Sequence, residues 1–276
     1  MEIGRLIRAG WHSTSIGRYQ LRPDSASEPV LRRELTSGQC LSAATLIYLG
    51  GRLRYFPEAS KFGVHQFSYK NPSPENLFLS QALSAKISNY IAEMGVSLKF
   101  LEVSTATPND KMDLIDVSEL RKLGVVTDGQ TNVHWSVQAK NSTLYVRGER
   151  DSLYGHHKVI LGYSKAFGFY FWAVIEAQGR EQELTSFGLV EIVLNGEASR
   201  VDISARCERA VYGIYVNIIA KLTTKEARSI AFSDSFGVQV RFSDEAEMFL
   251  GVSAVSTDGG REELATFFNT LFDDPP

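Results

Sequence analysis

The chain has 276 residues, of which 43% are hydrophobic and 22% charged, with a formal net charge of −3. This length and composition are typical of one large or two ordinary folded domains. Because the opposite charges are interspersed and nearly balanced, the sequence offers no electrostatic basis for binding nucleic acid or an anionic membrane.

The first half of the chain mixes helices with short strands. Residues 2–10 predict a short helix, and residues 13–16 predict a strand. Residues 17–37 are polar, contain two prolines and show no sustained hydrophobic period, so we expect an inserted surface loop.

The next segment contains a serine and a histidine in an arrangement that suits acyl-transfer chemistry. Ser42 lies where a helix is expected to begin, Gly50 and Gly51 end that helix, and two short strands follow, the second of which carries His65. A hydroxyl and an imidazole are the nucleophile and the base that this chemistry needs. Two alternatives stay open, since serine is favoured as a helix N-cap and a lone strand histidine can be a satisfied core residue.

Three helices and a short strand complete the first half. Helical spacing of apolar residues predicts a long helix over 75–94, which Gly95 ends, and a second helix around 97–101. Residues 117–124 predict a compact helix with glycine as its stop, and Val125 and Val126 predict a final short strand.

The second half changes to strand-like segments separated by turn signals, which is typical of a β-sandwich or barrel. Two helices are expected within it, over 223–230 and 262–271. We place the domain boundary near residue 128, which divides the chain into 1–127 and 128–276. The expected strands are 133–137, 143–147, 158–163, 170–175, 189–194, 213–218 and 238–242.

Other residues with chemical potential carry simpler interpretations. Cys40 and Cys207 form no CxxC motif, so we expect buried small side chains, with a single disulfide as the alternative. His156 and His157 are adjacent on a predicted strand and therefore point to opposite faces, so no metal site is expected there. The aromatic run 167–172 is interpreted as core and one exposed face rather than a carbohydrate platform.

Motifs in the first half resemble the proteolytic-subunit family of Clp proteases, within the wider Clp/crotonase fold. The likeness rests on residues 38–44 around Ser42, on residues 62–66 around His65, and on residues 108–126. It is closest to bacterial periplasmic Clp-like proteins and covers roughly residues 1–127. The resulting prediction is an α/β chain: a Clp/crotonase-like ββα spiral domain followed by an all-β, sandwich-like accessory domain.

The resemblance also implies an activity. It implies a serine peptidase in which Ser42 attacks the carbonyl, His65 serves as base and then acid, and Asp110 orients His65, with Asp113 as a rival for that role. It implies a polypeptide or peptide substrate, no cofactor, and a homo-oligomer formed through the helix that follows His65. The alternatives are a non-catalytic Clp-fold scaffold whose β-domain binds a partner, and a crotonase-type thioester enzyme.

The resemblance raises a question about the N-terminus. In the family, a Ser-Pro-Gly-Gly-type turn supplies part of the oxyanion hole, and in this chain that turn would lie before Met1. We therefore expect a truncated start, with loss of the turn as the alternative. No apolar run is long enough to span a membrane, and residues 1–11 lack a signal-peptide core. As written the protein is expected to be cytoplasmic; an upstream signal sequence would make it periplasmic, and membrane association would require an upstream anchor.

Overall fold

A computed structural model describes residues 1–21, 33–67 and 73–272 of this chain. The protein is mixed α/β and divides into two compact units, Met1–Thr131 (unit 1) and Asn132–Pro276 (unit 2). The predicted boundary, after residue 127, falls a few residues before this division. Among the described helices, none combines the length and the apolar character needed to span a bilayer.

Unit 1 combines helices with short strands in three small sheets. Strands β1 and β5 pair in parallel, β2 and β3 form an antiparallel hairpin, and β6 pairs in parallel with β4 and antiparallel with β7. The helices are α1 (Glu2–Ala9), α2 (Ala44–Leu49), α3 (Pro74–Glu93), α4 (Lys99–Ala106) and α5 (Val117–Lys122). The strands are β1 (Thr14–Ser15), β2 (Arg18–Leu21), β3 (Arg33–Thr36), β4 (Gln39–Leu41), β5 (Arg54–Tyr55), β6 (Lys61–Val64) and β7 (Asp113–Leu114).

The predicted helices of unit 1 are confirmed, and two other predictions are corrected. The segment 17–37 is not simply a loop, since its ends form the β2/β3 hairpin, while residues 22–32 lie outside the described part of the chain. Val125 and Val126 are buried but form no strand. Their main-chain N–H groups instead donate to the carbonyl of Leu120, which folds them back onto the end of α5.

Two glycines allow α1 and α2 to pack in direct backbone contact. A Cβ placed on Gly50 would lie 2.4 Å from Cα of Gly4, and a Cβ on Gly4 would lie 1.8 Å from the hydroxyl oxygen of Tyr90. That hydroxyl donates to the carbonyl of Leu46 in α2 at 2.5 Å. The helix that follows Ser42 is therefore held in place by contacts with both α1 and α3.

A buried arginine holds the C-terminal ends of three helices in unit 1 together. The Arg54 residue is only 2% exposed. Its guanidinium donates to five main-chain carbonyls, which lie just after or at the ends of α2, α3 and α5. These are the carbonyls of Leu49, Gly51, Met94, Gly124 and Val125, at 2.7–3.3 Å. The C-terminus of a helix has carbonyls without intrahelical partners and carries a partial negative charge. The guanidinium donates hydrogen bonds to these carbonyls, and its positive charge compensates the partial negative charge.

Unit 2 contains two antiparallel sheets and packed helices. The six-stranded sheet has the order β14-β15-β11-β10-β9-β8, and the four-stranded sheet has the order β13-β12-β16-β17. The strands are β8 (His134–Lys140), β9 (Thr143–Ser152), β10 (Gly155–Ser164), β11 (Gly168–Glu176), β12 (Leu189–Leu194), β13 (Ser199–Asp202), β14 (Cys207–Tyr212), β15 (Tyr215–Lys221), β16 (Ser235–Arg241) and β17 (Leu250–Ser256). The helices are α6 (Glu181–Ser186), α7 (Thr224–Ala231) and α8 (Arg261–Phe272).

Unit 2 is not all-β as predicted, because its helices contribute to the hydrophobic core. Ile230 of α7 and Leu264 and Phe268 of α8 are at most 1% exposed and belong to the same core cluster as the strands of both sheets. Strands β13, β14 and β17 were not predicted. Their residues are largely exposed, charged or small, so they lack the apolar alternation that marks a half-buried strand. Both cysteines are free, so the disulfide alternative is excluded.

Candidate functional site

Ser42 lies at a tight turn between β4 and α2. Its φ angle is +57°, in the left-handed region that non-glycine residues rarely occupy. The turn is held on both sides, since the Ser42 N–H donates to the carbonyl of Gly63 at 2.9 Å, and the Ser42 carbonyl accepts from the N–H and the hydroxyl of Thr45 at 3.0 and 2.6 Å. A strained strand-to-helix turn is the geometry that exposes a nucleophilic serine in several hydrolases.

The parallel pairing of β4 with β6 brings His65 to this turn. Leu41 is the register partner of Gly63, so the residues that follow these two strand positions, Ser42 and then His65, lie close to each other. Gly63 has a packing role here, because a Cβ at this position would lie 2.7 Å from Leu41 and 2.8 Å from Met112. The strand that carries His65 can therefore lie close to both of its neighbours.

Ser42 and His65 are joined by a hydrogen bond. Nε2 of His65 lies 2.7 Å from Oγ of Ser42, and Nδ1 of His65 lies 2.8 Å from the carbonyl oxygen of Gln66. A carbonyl can only accept, so Nδ1 carries the proton and Nε2 of the neutral ring is the acceptor for the Ser42 hydroxyl. This is the tautomer in which an imidazole can take a proton from serine. The N–H of Gln66 donates to the carbonyl of Thr107 at 2.8 Å, which fixes the main chain that holds His65.

The structure does not bring the predicted carboxylates to His65. Asp110 is exposed, in a turn closed by a hydrogen bond from Lys111 N–H to the Pro108 carbonyl. Asp113 is also exposed and is the register partner of Val64, so these two residues share one face of the sheet. Successive residues of a strand alternate between the two faces, so His65, which follows Val64, is not on the face that carries Asp113. Within residues 1–21, 33–67 and 73–272, no carboxylate hydrogen-bonds to His65.

Ser42 is accessible to a substrate, and the nearby thiol does not compete with it as a nucleophile. Ser42 and His65 are half-buried, whereas Ala43 and Ala44 beside them are exposed. Within the described residues, the N–H of Ala43 donates to no main-chain carbonyl, and the N–H after a nucleophile in such a turn is an oxyanion donor in other hydrolases. Burial raises the pKa of the nearby Cys40 thiol to about 11, so this sulfur stays protonated and does not compete as a nucleophile.

Sequence reasoning identified the two side chains that meet but missed the group that orients one of them. The acceptor for His65 Nδ1 is a main-chain carbonyl, and every residue has one, so no residue type marks it. The only available signal was the position of Gln66 next to His65.

The other histidines and carboxylates of the described chain do not form a candidate metal centre. In these residues, no group of three or more His, Cys, Asp or Glu side chains is placed to hold a metal ion. His156 is half-buried, with Nδ1 2.8 Å from a carboxylate oxygen of Asp151, whereas His157 points into the core and is 4% exposed. Burial, and to a smaller extent the positive charge of Arg150, lower the pKa of His157 to about 4.

Comparisons with known proteins add no family assignment. No family model, no curated protein and no solved structure matches this chain. The functional interpretation therefore depends on the Ser42/His65 geometry and on the sequence motifs around these two residues.

Proposed function

We propose that unit 1 is a serine hydrolase of the Clp peptidase type, with a Clp/crotonase-like fold, that cleaves peptide bonds. The observation that carries this proposal is the 2.7 Å hydrogen bond between Ser42 and His65 at a strained strand-to-helix turn. A chance contact between a serine and a histidine requires neither the left-handed backbone at Ser42 nor a partner that selects the reactive tautomer of His65.

The proposed reaction uses these two side chains in turn. Oγ of Ser42 attacks the peptide carbonyl as its proton passes to Nε2 of His65, and the N–H of Ala43 supplies one hydrogen bond to the developing oxyanion. His65 then gives the proton to the departing amine, and an acyl-serine remains. Water attacks this ester with His65 again as base, which releases the acid and restores Ser42. The Gln66 carbonyl holds the imidazole in position throughout.

Labelling with a fluorophosphonate probe tests the nucleophile. We expect the wild-type chain to form one covalent adduct on Ser42, located by mass spectrometry, and Ser42→Ala and His65→Ala to lose it. Ser104→Ala is a matched control, because this hydroxyl donates only to the carbonyl of Leu101 within α4, and it should be labelled like the wild type. Failure of the folded wild-type chain to react with the probe would refute the proposal.

The same assay decides what orients His65. If the Gln66 carbonyl suffices, Asp110→Asn and Asp113→Asn should be labelled within about threefold of the wild-type rate, because neither carboxylate reaches His65. If one of them completes a Ser-His-Asp triad in the working state, its loss should slow acylation by orders of magnitude, up to about 10⁴-fold as in established triads. Either result is compatible with Ser42 as the nucleophile.

The alternative is a non-catalytic scaffold with the Clp fold, whose second unit binds a partner. It is favoured by the observation that no carboxylate in the described residues hydrogen-bonds to His65. A scaffold would keep the Ser42/His65 contact as packing and would not react with the probe.

The resemblance also implies a homo-oligomer formed through the helix that follows His65. That helix, α3, carries the exposed apolar side chains Phe78 and Leu79.

A further inference from the structure

Unit 2 contains a buried arginine that crosses between its two sheets. Arg150 lies on β9 opposite His157 of β10 and is 7% exposed. Its Nη2 donates to the carbonyl of Ser253 at 3.2 Å and lies 2.5 Å from the Ser253 hydroxyl. Ser253 is exposed and belongs to an irregularity in the pairing of β16 with β17, so one side of this arginine adjoins the protein surface.

The charge of Arg150 has no counter-charge in the described structure. No carboxylate of the described residues lies within 4.0 Å of its guanidinium, and its Nε is buried without a hydrogen-bond partner. Nη1 likewise donates to no described residue. Of the five N–H donors of the guanidinium, the two on Nη2 are used and three are not.

Two other buried arginines show how this fold normally satisfies such a group. Arg54 donates to five main-chain carbonyls. Arg241 has a buried Nε without a partner, as Arg150 has, but its charge pairs with the Glu191 carboxylate at 2.5 Å. Arg150 has only the two oxygens of Ser253. A buried charge without a partner is costly, and such groups in proteins are normally paired or ligated.

The neighbouring titratable residues that the structure describes supply no counter-charge to Arg150. His157 is uncharged at neutral pH because burial and Arg150 both depress its pKa. Burial is also the cause of the lowered pKa of Arg150. Glu176, the carboxylate that acts on His157, accepts a hydrogen bond from the His156 N–H instead of reaching Arg150.

We propose that Arg150 anchors a binding site for an oxyanion, the carboxylate or phosphate group of a small ligand, at the surface beside Ser253. The two unused N–H donors on Nη1, which is not among the buried atoms, would bind the anion, and the Ser253 hydroxyl would contribute a further donor. Charge-assisted hydrogen bonds from arginine to such anions are about twice as strong as neutral ones, and here they form in a partly desolvated site. This site lies in unit 2 and does not depend on the hydrolase proposed for unit 1.

Ligand-dependent stability of the full-length chain tests the site. Unfolding of unit 2 is followed during titration with inorganic phosphate or acetate, with chloride at matched ionic strength as the reference. Phosphate also stabilises folded proteins generally, by exclusion from their surfaces. The informative quantity is therefore the saturable difference between the wild type and Arg150→Met. At a concentration 100 times Kd we expect the wild-type Tm to rise by about 5–10 °C more than that of Arg150→Met.

Controls and outcomes separate the possibilities. Arg261→Met removes a surface arginine that pairs with Asp234, and it should respond to anions like the wild type. If Arg150→Met fails to fold, Arg150→Lys replaces it and should bind phosphate at least about fivefold more weakly, since lysine lacks the planar fork. Saturation by phosphate alone identifies a phosphate site, and saturation by acetate alone identifies a carboxylate site. An equal response of the wild type and the Arg150 variant, or no saturable response, overturns the proposal.

Discussion

Replacing Arg54 by methionine should destabilise unit 1 more than any surface substitution. Methionine has a similar length but donates no hydrogen bonds, so the five main-chain carbonyls at the ends of α2, α3 and α5 lose the bond from residue 54. Those of Leu49 and Met94 keep a second bond, from Arg8 Nη2, whereas the other three lose their only side-chain donor among the described residues. Hydrogen bonds from a charged group contribute about 1.5–3 kcal/mol each, and relief of the buried charge offsets part of their loss. We expect a net loss of about 4 kcal/mol in the free energy of unfolding, comparable to the removal of one partner from a buried ion pair.

Arg54→Lys provides a graded test of the same reasoning. The ammonium group keeps the charge but has three donors, so at least two of the five carbonyls lose the hydrogen bond from residue 54. A loss of about 2 kcal/mol is expected. Arg121→Met is the matched control, since this guanidinium is half-exposed and pairs with Asp128 at the surface, and it should leave the unfolding midpoint unchanged.

Hydrogen–deuterium exchange of the full-length chain in increasing urea is the appropriate assay, because it reports each unit separately. With a slope of about 2 kcal/mol per molar urea, the midpoint for peptides of α3 and α5 should fall by about 2 M in Arg54→Met. Peptides from β10 in unit 2 serve as the internal reference. A fall of less than about 0.5 M would refute the idea that these carbonyls depend on Arg54.

Two further perturbations test other parts of the fold. His157 has a folded-state pKa of about 4, below the usual 6.5, so the unfolded state binds its proton first as the pH falls. Unit 2 should therefore be fully stabilised above pH 6.5 and lose about 3 kcal/mol between pH 6.5 and 4, a loss that urea unfolding should find absent in His157→Gln. Gly50→Ala should cost about 2–3 kcal/mol in urea unfolding because its Cβ would overlap Gly4, whereas Gly188→Ala, with open space around it, should change stability little; equal costs would contradict the close approach of α1 and α2.

The amount of structure that could be predicted from the sequence differs between the elements. Helices α3 and α5 were predicted because apolar spacing and a glycine stop are local signals. Strands β2 and β3 in the segment 17–37 were missed because each has only four residues, most of them polar, which is too short for a sustained period to be visible. Helices α7 and α8 were expected and α6 was not. The burial of α7 and α8 in the core was not predicted, since burial depends on which sheets pack against them.

The sequence by itself was sufficient to nominate Ser42 and His65, because residue type and spacing in a strand–helix–strand segment are visible along the chain. Only the tertiary structure decided that Oγ and Nε2 lie 2.7 Å apart, that a Gln66 carbonyl rather than Asp110 holds the imidazole, and that Ser42 adopts a left-handed backbone. It also decided that Arg54 is satisfied and Arg150 is not. The physical reason is that main-chain hydrogen bonding and the burial of charge depend on which distant segments meet, and the pattern of residue types does not record this.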